Sequence, residues 1–109
     1  MDILIQADGV TLTETIKDAV DEKIGRVEQC APRAVRARVR LRKVSAHPSP
    51  RQYTVRVLVE ISGADLSAEA SSADVVSALG VVAEKIERRL RKRKTERLAQ
   101  RARGVRQKS

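Results

Sequence analysis

Val35-Arg36-Ala37-Arg38-Val39-Arg40-Leu41-Arg42-Lys43 alternates without a break. In an extended chain Val35, Ala37, Val39 and Leu41 share one side, and Arg36, Arg38, Arg40 and Arg42 share the other, because side chains repeat every two residues. Such a stretch predicts a strand with one face in a core and an arginine ladder in solvent. A sheet built on it carries its helices on one side only. The next stretch obeys the same rule: Tyr53, Val55, Val57, Val59 and Ile61 alternate with Gln52, Thr54, Arg56, Leu58 and Glu60. Between the two, Ser45-Ala46-His47-Pro48-Ser49-Pro50 reads as a loop, since its prolines cannot donate to a ladder.

Towards the N-terminus, Asp2 to Ala7 predicts a short strand with Ile3 and Ile5 inward and Leu4 as an apolar exception. Asp8-Gly9 signals a turn. Ile16, Val20, Ile24 and Val27 then recur at helical spacing, with Thr13 preferred to Thr11 as the N-cap. Asp18, Asp21 and Glu22 crowd the first half of that helix and Lys23 and Arg26 the second, which complements the macrodipole. Pro32 stops it. Towards the C-terminus, Ser62-Gly63-Ala64-Asp65 turns the chain into a weaker strand carrying Leu66, Ala68 and Ala70, and Ser72 is the expected cap of a long final helix. The order β-α-β-β-β-α is an α+β fold: a four-stranded mixed sheet with two helices packed on one face. Its first two strands should be parallel through a right-handed crossover and the rest antiparallel.

The final helix carries the strongest functional signal. Val75, Leu79, Val82, Ile86 and Leu90 fall within an arc of about 80° at ~100° per residue, which makes them a buried seam. Lys85, Arg88, Arg89 and Lys92 form a basic flank beside it. After Leu90 the seam fails, because Arg93 and Arg97 stand where the next core residues belong. Gly80 lies away from the seam, with no packing reason evident in the pattern.

Of 109 residues, 41% are hydrophobic and 34% charged, with Tyr53 the one aromatic. This describes one domain with an aliphatic core, assigned to residues 1–103, followed by a basic flexible tail at 104–109. The net charge of +9 is unevenly placed. Residues 1–32 hold three basic and seven acidic groups, 33–62 eight and one, 63–84 none and four, and 85–109 twelve and two. A surface polarised in this way points to polyanions, nucleic acid above all. One cysteine, Cys30, excludes an internal disulfide and is expected half-buried at the end of the first helix. His47 is the one histidine and reads as a solvent-exposed loop residue. No nucleophile–base pair, glycine-rich phosphate loop or set of metal ligands is present, so neither an enzyme nor a cofactor is expected. The N-terminus lacks a signal-peptide pattern and no stretch reaches membrane-spanning length, which makes the cytoplasm the expected compartment.

Leu12-Thr13-Glu14-Thr15-Ile16-Lys17-Asp18-Ala19-Val20, with Lys23-Ile24 and Arg26-Val27-Glu28 after it, resembles the first helix of the ribosome hibernation promoting factors and ribosome-associated inhibitors, the sigma-factor modulation protein family. Asp74-Val75-Val76 with Ala78-Leu79, then Lys85-Ile86-Glu87-Arg88-Arg89-Leu90, Lys92 and Lys94, resembles that family's second helix. The resemblance covers roughly residues 2–97. It implies a double-stranded-RNA-binding-domain-like β-α-β-β-β-α fold and binding to the small ribosomal subunit in the mRNA and tRNA channel. Translation would then be repressed by occlusion. Lys85, Arg88 and Lys92 fall on basic positions of the family's second helix, and Lys23 and Arg26 on basic positions of its first. Arg89 stands where relatives often carry a polar residue, Val76 replaces a usual aromatic, and Gly80 replaces a common acidic residue. On this reading the chain is a short-type member, expected not to pair ribosomes through a domain of its own.

The candidate RNA-binding residues are Lys85, Arg88, Arg89, Lys92 and Arg93 on the last helix, Lys23 and Arg26 on the first, and Arg38 and Arg40 on the ladder. Glu60 and Glu69 are candidates to compensate the ladder across the sheet. With one aromatic, turned to the core, recognition must be of phosphates and folded RNA shape rather than of stacked bases. The expected partners are ribosomal RNA and proteins of the small subunit, with no membrane and no small-molecule substrate, and the free protein is expected to be monomeric. Two other readings stay open: a homo-oligomeric interaction module using the open sheet face, and a general RNA-binding or ribosome-assembly protein.

Overall fold

Aliphatic side chains on one face of every strand decide how the layers stack. A computed structural model of the chain describes residues 1–44 and 48–108, with side chains described through residue 95. His47 and the side chains of 104–109 lie outside the described residues. The elements follow the expected order: β1 (Asp2–Asp8), α1 (Glu14–Cys30), β2 (Ala34–Lys43), β3 (Tyr53–Ile61), β4 (Leu66–Ser72) and α2 (Val75–Lys108). The sheet runs β1-β2-β3-β4. β1 pairs parallel with β2, and β2–β3 and β3–β4 are antiparallel. Gly9 at φ +70° and Gly63 at φ +94° occupy the turns after β1 and β3, where a side chain would strain the left-handed backbone.

The core is aliphatic. Val39, Leu41, Val55, Val57 and Val59 of the sheet are fully buried under Val20, Ile24 and Val27 of α1 and Leu79, Val82 and Ile86 of α2. No polar or charged side chain is buried among the described residues. Tyr53 packs at the margin of this cluster, as its place in the alternation predicts. Each buried Leu or Ile contributes roughly 1.5–3 kcal/mol, so a seam four turns long is what holds α2 to the sheet.

Three local expectations change. Val35 is 59% exposed rather than inward. The register slips between Ala34 and Arg36, so Val35 is the extra residue of a bulge, turned out by the backbone. Cys30 is exposed, because it ends α1 on the side turned away from Val27 and Ala31, which are buried. Ser72 ends β4 instead of capping α2. The cap is Asp74, whose Oδ1 accepts from the Ser77 N–H at 2.8 Å and Oδ2 from the Ser77 hydroxyl at 2.7 Å. Thr13 caps α1 as expected, accepting from the Ile16 N–H at 3.3 Å.

The Ser77 backbone hydrogen bond, helped by the Ser77 hydroxyl, holds the Asp74 carboxyl below its usual value. A carboxylate depressed in the folded state stabilises it at pH above the unfolded value, and that contribution is lost as pH falls through the folded value. Asp74→Ala should cost about 1 kcal/mol near neutral pH. Urea unfolding followed from pH 7 to pH 3 should show the gap between this variant and the parent narrowing as the acid is added.

Candidate nucleic-acid interface

β4 is an edge strand, so the backbone groups on its outer side have no strand to pair with. α2 supplies partners instead. Lys85 Nζ donates to the Glu69 carbonyl at 3.0 Å, Arg89 Nη1 donates to the Ser67 carbonyl, and Arg93 donates to the Ala64 and Asp65 carbonyls at 3.1 and 3.4 Å. These three residues recur every fourth position on α2, while their acceptors recur every second position along β4 and its preceding turn. Arg93, which stands where the seam should end, still docks on the domain: it is half-buried, its stem lying against the β3–β4 turn.

The remaining cations of α2 point elsewhere. Arg88 and Lys92 are exposed and make no ion pair or hydrogen bond among the described residues. Arg91 pairs with Glu87 at 3.5 Å, four residues away. Lys94 is exposed. The flank expected to act as one surface is therefore two: an inner row bonded to β4 and an outer row open to solvent. Below Leu90 the end of α1, the β3–β4 turn and α2 enclose a cleft of about 620 Å³, floored by Ala31, Ile61 and Leu90 and rimmed by Arg33, Arg91, Arg93 and Lys94. The strand and helix periodicities gave no reason to single out Arg33, which sits in the α1–β2 connection.

On the first helix, Lys23 lies across Gly80, with Nζ and Cε at 3.6 and 3.7 Å from where a Cβ there would stand. That contact gives the glycine a packing role invisible in the helical wheel, and it places Lys23 on the opposite side of the seam from Lys85. Arg26 pairs with Glu22 at 3.3 Å.

The ladder is partly compensated. Arg36 and Arg38 both reach Glu60, at 3.3 and 3.2 Å, and Arg40 reaches Asp8 at 3.2 Å. Glu60 compensates the ladder as expected. Glu69 faces Arg56 in the register instead, and Asp8 takes the second role because the parallel β1 brings it beside Arg42 and within reach of Arg40. Arg42 and Arg56 form no ion pair among the described residues. No group of three or more His, Cys, Asp or Glu residues that could hold a metal occurs among them, and no helix is long and apolar enough to cross a membrane.

A family model described as "Sigma 54 modulation protein / S30EA ribosomal protein" matches residues 3–98. A curated relative, the ribosome hibernation promotion factor of Deinococcus radiodurans, is 32% identical over 95 residues, which cover 87% of this chain and 50% of that protein. The chain thus spans about half the length of this curated relative. Among solved structures, the Thermus thermophilus Protein Y N-terminal domain superposes with a TM-score of 0.71 at 19% identity, covering 84% of this chain and 98% of that one. A ribosomal subunit interface protein from Coxiella burnetii does so at 0.75 and 20% identity, covering 87% and 99%. At those identities the two structures speak for the fold alone.

The Glu60 pairs make a prediction of their own. Glu60→Gln should release Arg36 and Arg38 at a stability cost below about 1 kcal/mol. The variant should elute from a heparin column at higher salt than the parent, with an unchanged circular dichroism spectrum.

Proposed function

This chain belongs to the Sigma 54 modulation protein / S30EA ribosomal protein family, and on that premise we propose that it is a hibernation factor, binding the small ribosomal subunit in the mRNA and tRNA channel. It represses translation by filling that channel, with no chemical step, and works in the cytoplasm, where ribosomes are. The observation that carries this reading is the outer row of α2. Arg88 and Lys92 sit on a helix pinned by Ile86 and Leu90, yet they make no ion pair or hydrogen bond among the described residues. Exposed cations at that spacing on a helix so anchored suit phosphates of structured RNA.

The candidates sort by what already holds them. Arg88 and Lys92 lead, with Lys94 and Arg33 beside them at the same end of the molecule. Lys85, Arg89 and Arg93 add to the field, and each meets phosphate with the donors that its β4-side carbonyl leaves over. Lys23 and Arg26 are secondary, one lying over Gly80 and the other paired with Glu22. Arg38 and Arg40 rank last, Arg38 sharing Glu60 with Arg36 and Arg40 being paired with Asp8.

Arg88→Glu combined with Lys92→Glu should abolish co-sedimentation with small ribosomal subunits while leaving the circular dichroism spectrum unchanged. Retained co-sedimentation would reject the assignment. With about five phosphates neutralised, log affinity should fall against log salt with a slope of about −4.

One observation favours a second reading. On the open sheet face Leu4, which is 50% exposed, and Leu58 flank Arg38 in register, and Arg38 is itself paired with Glu60. Such a face can meet a second copy. Light scattering in high and low salt decides: a dimer that persists without RNA supports this reading, and a monomer under both conditions removes it.

A further inference from the structure

The outer edge of β4 offers more than the ribosome reading uses. Along a helix, every fourth residue advances about 6 Å. Along a strand, every second residue advances about 6.6 Å. The two spacings nearly match, which is why Lys85, Arg89 and Arg93 find Glu69, Ser67 and Asp65 in turn, stepping by four on α2 and by two on the other chain segment. A cation row in step with one strand is also in step with any strand laid beside it.

We propose that the edge of β4 and the row Lys85, Arg89 and Arg93 together form a strand-addition site for an extended acidic segment of a partner protein. The row does not seal the edge. It occupies carbonyl oxygens only, leaving the outward N–H groups of Ser67, Glu69 and Ser71 as donors for an incoming backbone. All four of its hydrogen bonds are at the exposed surface. An arriving strand with carboxylates at alternate positions on the α2 side draws the cations from neutral carbonyls to charged acceptors, which bind them more strongly. The freed carbonyls of Ser67 and Glu69 then accept from the new strand. Backbone pairing supplies affinity, and the cation row reads acidic side chains at every second position.

Charge settles which occupant fits. A second copy pairing through its own β4 would bring a second α2 alongside the first, and residues 85–95 hold seven basic groups against one acidic, Glu87. Two such helices repel. The phosphates of a nucleic acid strand satisfy the cations and can accept from the N–H groups of Ser67, Glu69 and Ser71, but they offer no donor to the carbonyls of Ser67 and Glu69 once those are freed. An acidic polypeptide uses both halves of the site.

The test involves no ribosome, so it stands or falls apart from the hibernation reading. The 15N-labelled full chain is titrated with an acetylated, amidated peptide of alternating Glu and Thr, about eight residues long to match the strand. A second peptide of the same sequence carries a methyl on every second backbone nitrogen. Amide exchange at Ser67, Glu69 and Ser71 should slow by about tenfold or more with the first peptide, the protection expected of newly paired backbone. The methylated peptide should bind at least about tenfold more weakly, having lost donors but no charge. Lys85→Ala with Arg89→Ala should weaken the first peptide similarly, and should Lys85→Ala/Arg89→Ala fail to fold, Arg89→Gln alone should still lower the affinity. Equal binding of the two peptides would overturn the proposal, as would shifts centred on Arg88 and Lys92 or on the ladder without slowed exchange in β4. Either result would show a general attraction for polyanions.

Discussion

Burial of one face of a four-stranded sheet under two aliphatic helix stripes is the constraint on which the rest of this protein depends. With no Phe or Trp, the core is filled by Val, Ile, Leu and Ala. Small branched side chains let helix and sheet approach closely and leave little slack, so the rotation of α2 about its own axis is fixed by Leu79, Val82, Ile86 and Leu90. Once that rotation is set, every cation on α2 has a direction. Residues on the β4 side of the seam meet an unpaired strand edge, those on the α1 side meet Lys23, and those opposite the seam meet water. The sorting of basic residues into bonded and unbonded rows follows from hydrophobic packing before any electrostatic preference enters.

The sequence carried the architecture because alternation and helical spacing are repeated signals. β2, β3, the seam of α2 and the Thr13 cap each rest on several residues that agree. What stayed hidden were features decided by one backbone step. A single extra residue between Ala34 and Arg36 turned Val35 outward, and no alternation pattern can register a bulge that leaves the downstream phase intact. Asp74 outranked Ser72 as cap because β4 ran on to Ser72, a boundary set by pairing with Tyr53 rather than by local propensity. Asp8 escaped notice because its partner, Arg40, is distant in sequence and reached only through the parallel register.

The candidate site was legible as composition and only half legible as geometry. Twelve basic groups in the last 25 residues mark the end of the chain where positive charge concentrates. Which of them are free depends on the position of β4 relative to α2, and a helical wheel contains no strand. One signal was present. Lys85, Arg89 and Arg93 step by four and drift towards the seam, the pattern of side chains that lie along a neighbouring element. Arg88 and Lys92 keep clear of it.

The inner row also bears on how firmly this domain can hold RNA. A phosphate that recruits Arg89 either takes the remaining N–H donors of a guanidinium whose orientation the Ser67 carbonyl sets, or draws it off that carbonyl at a cost. Arg88 and Lys92 have no such bond among the described residues. Phosphates should therefore be fixed first by the outer row, with the inner row engaging only where RNA presses against the β4 side. The two rows would then respond differently to competitors: salt screens both, whereas a strand added to β4 would occupy the inner row and leave Arg88 and Lys92 exposed. Bound acidic strand and bound RNA need not exclude one another by contact, and their coupling would run through the charge that Lys85, Arg89 and Arg93 contribute to the field around α2.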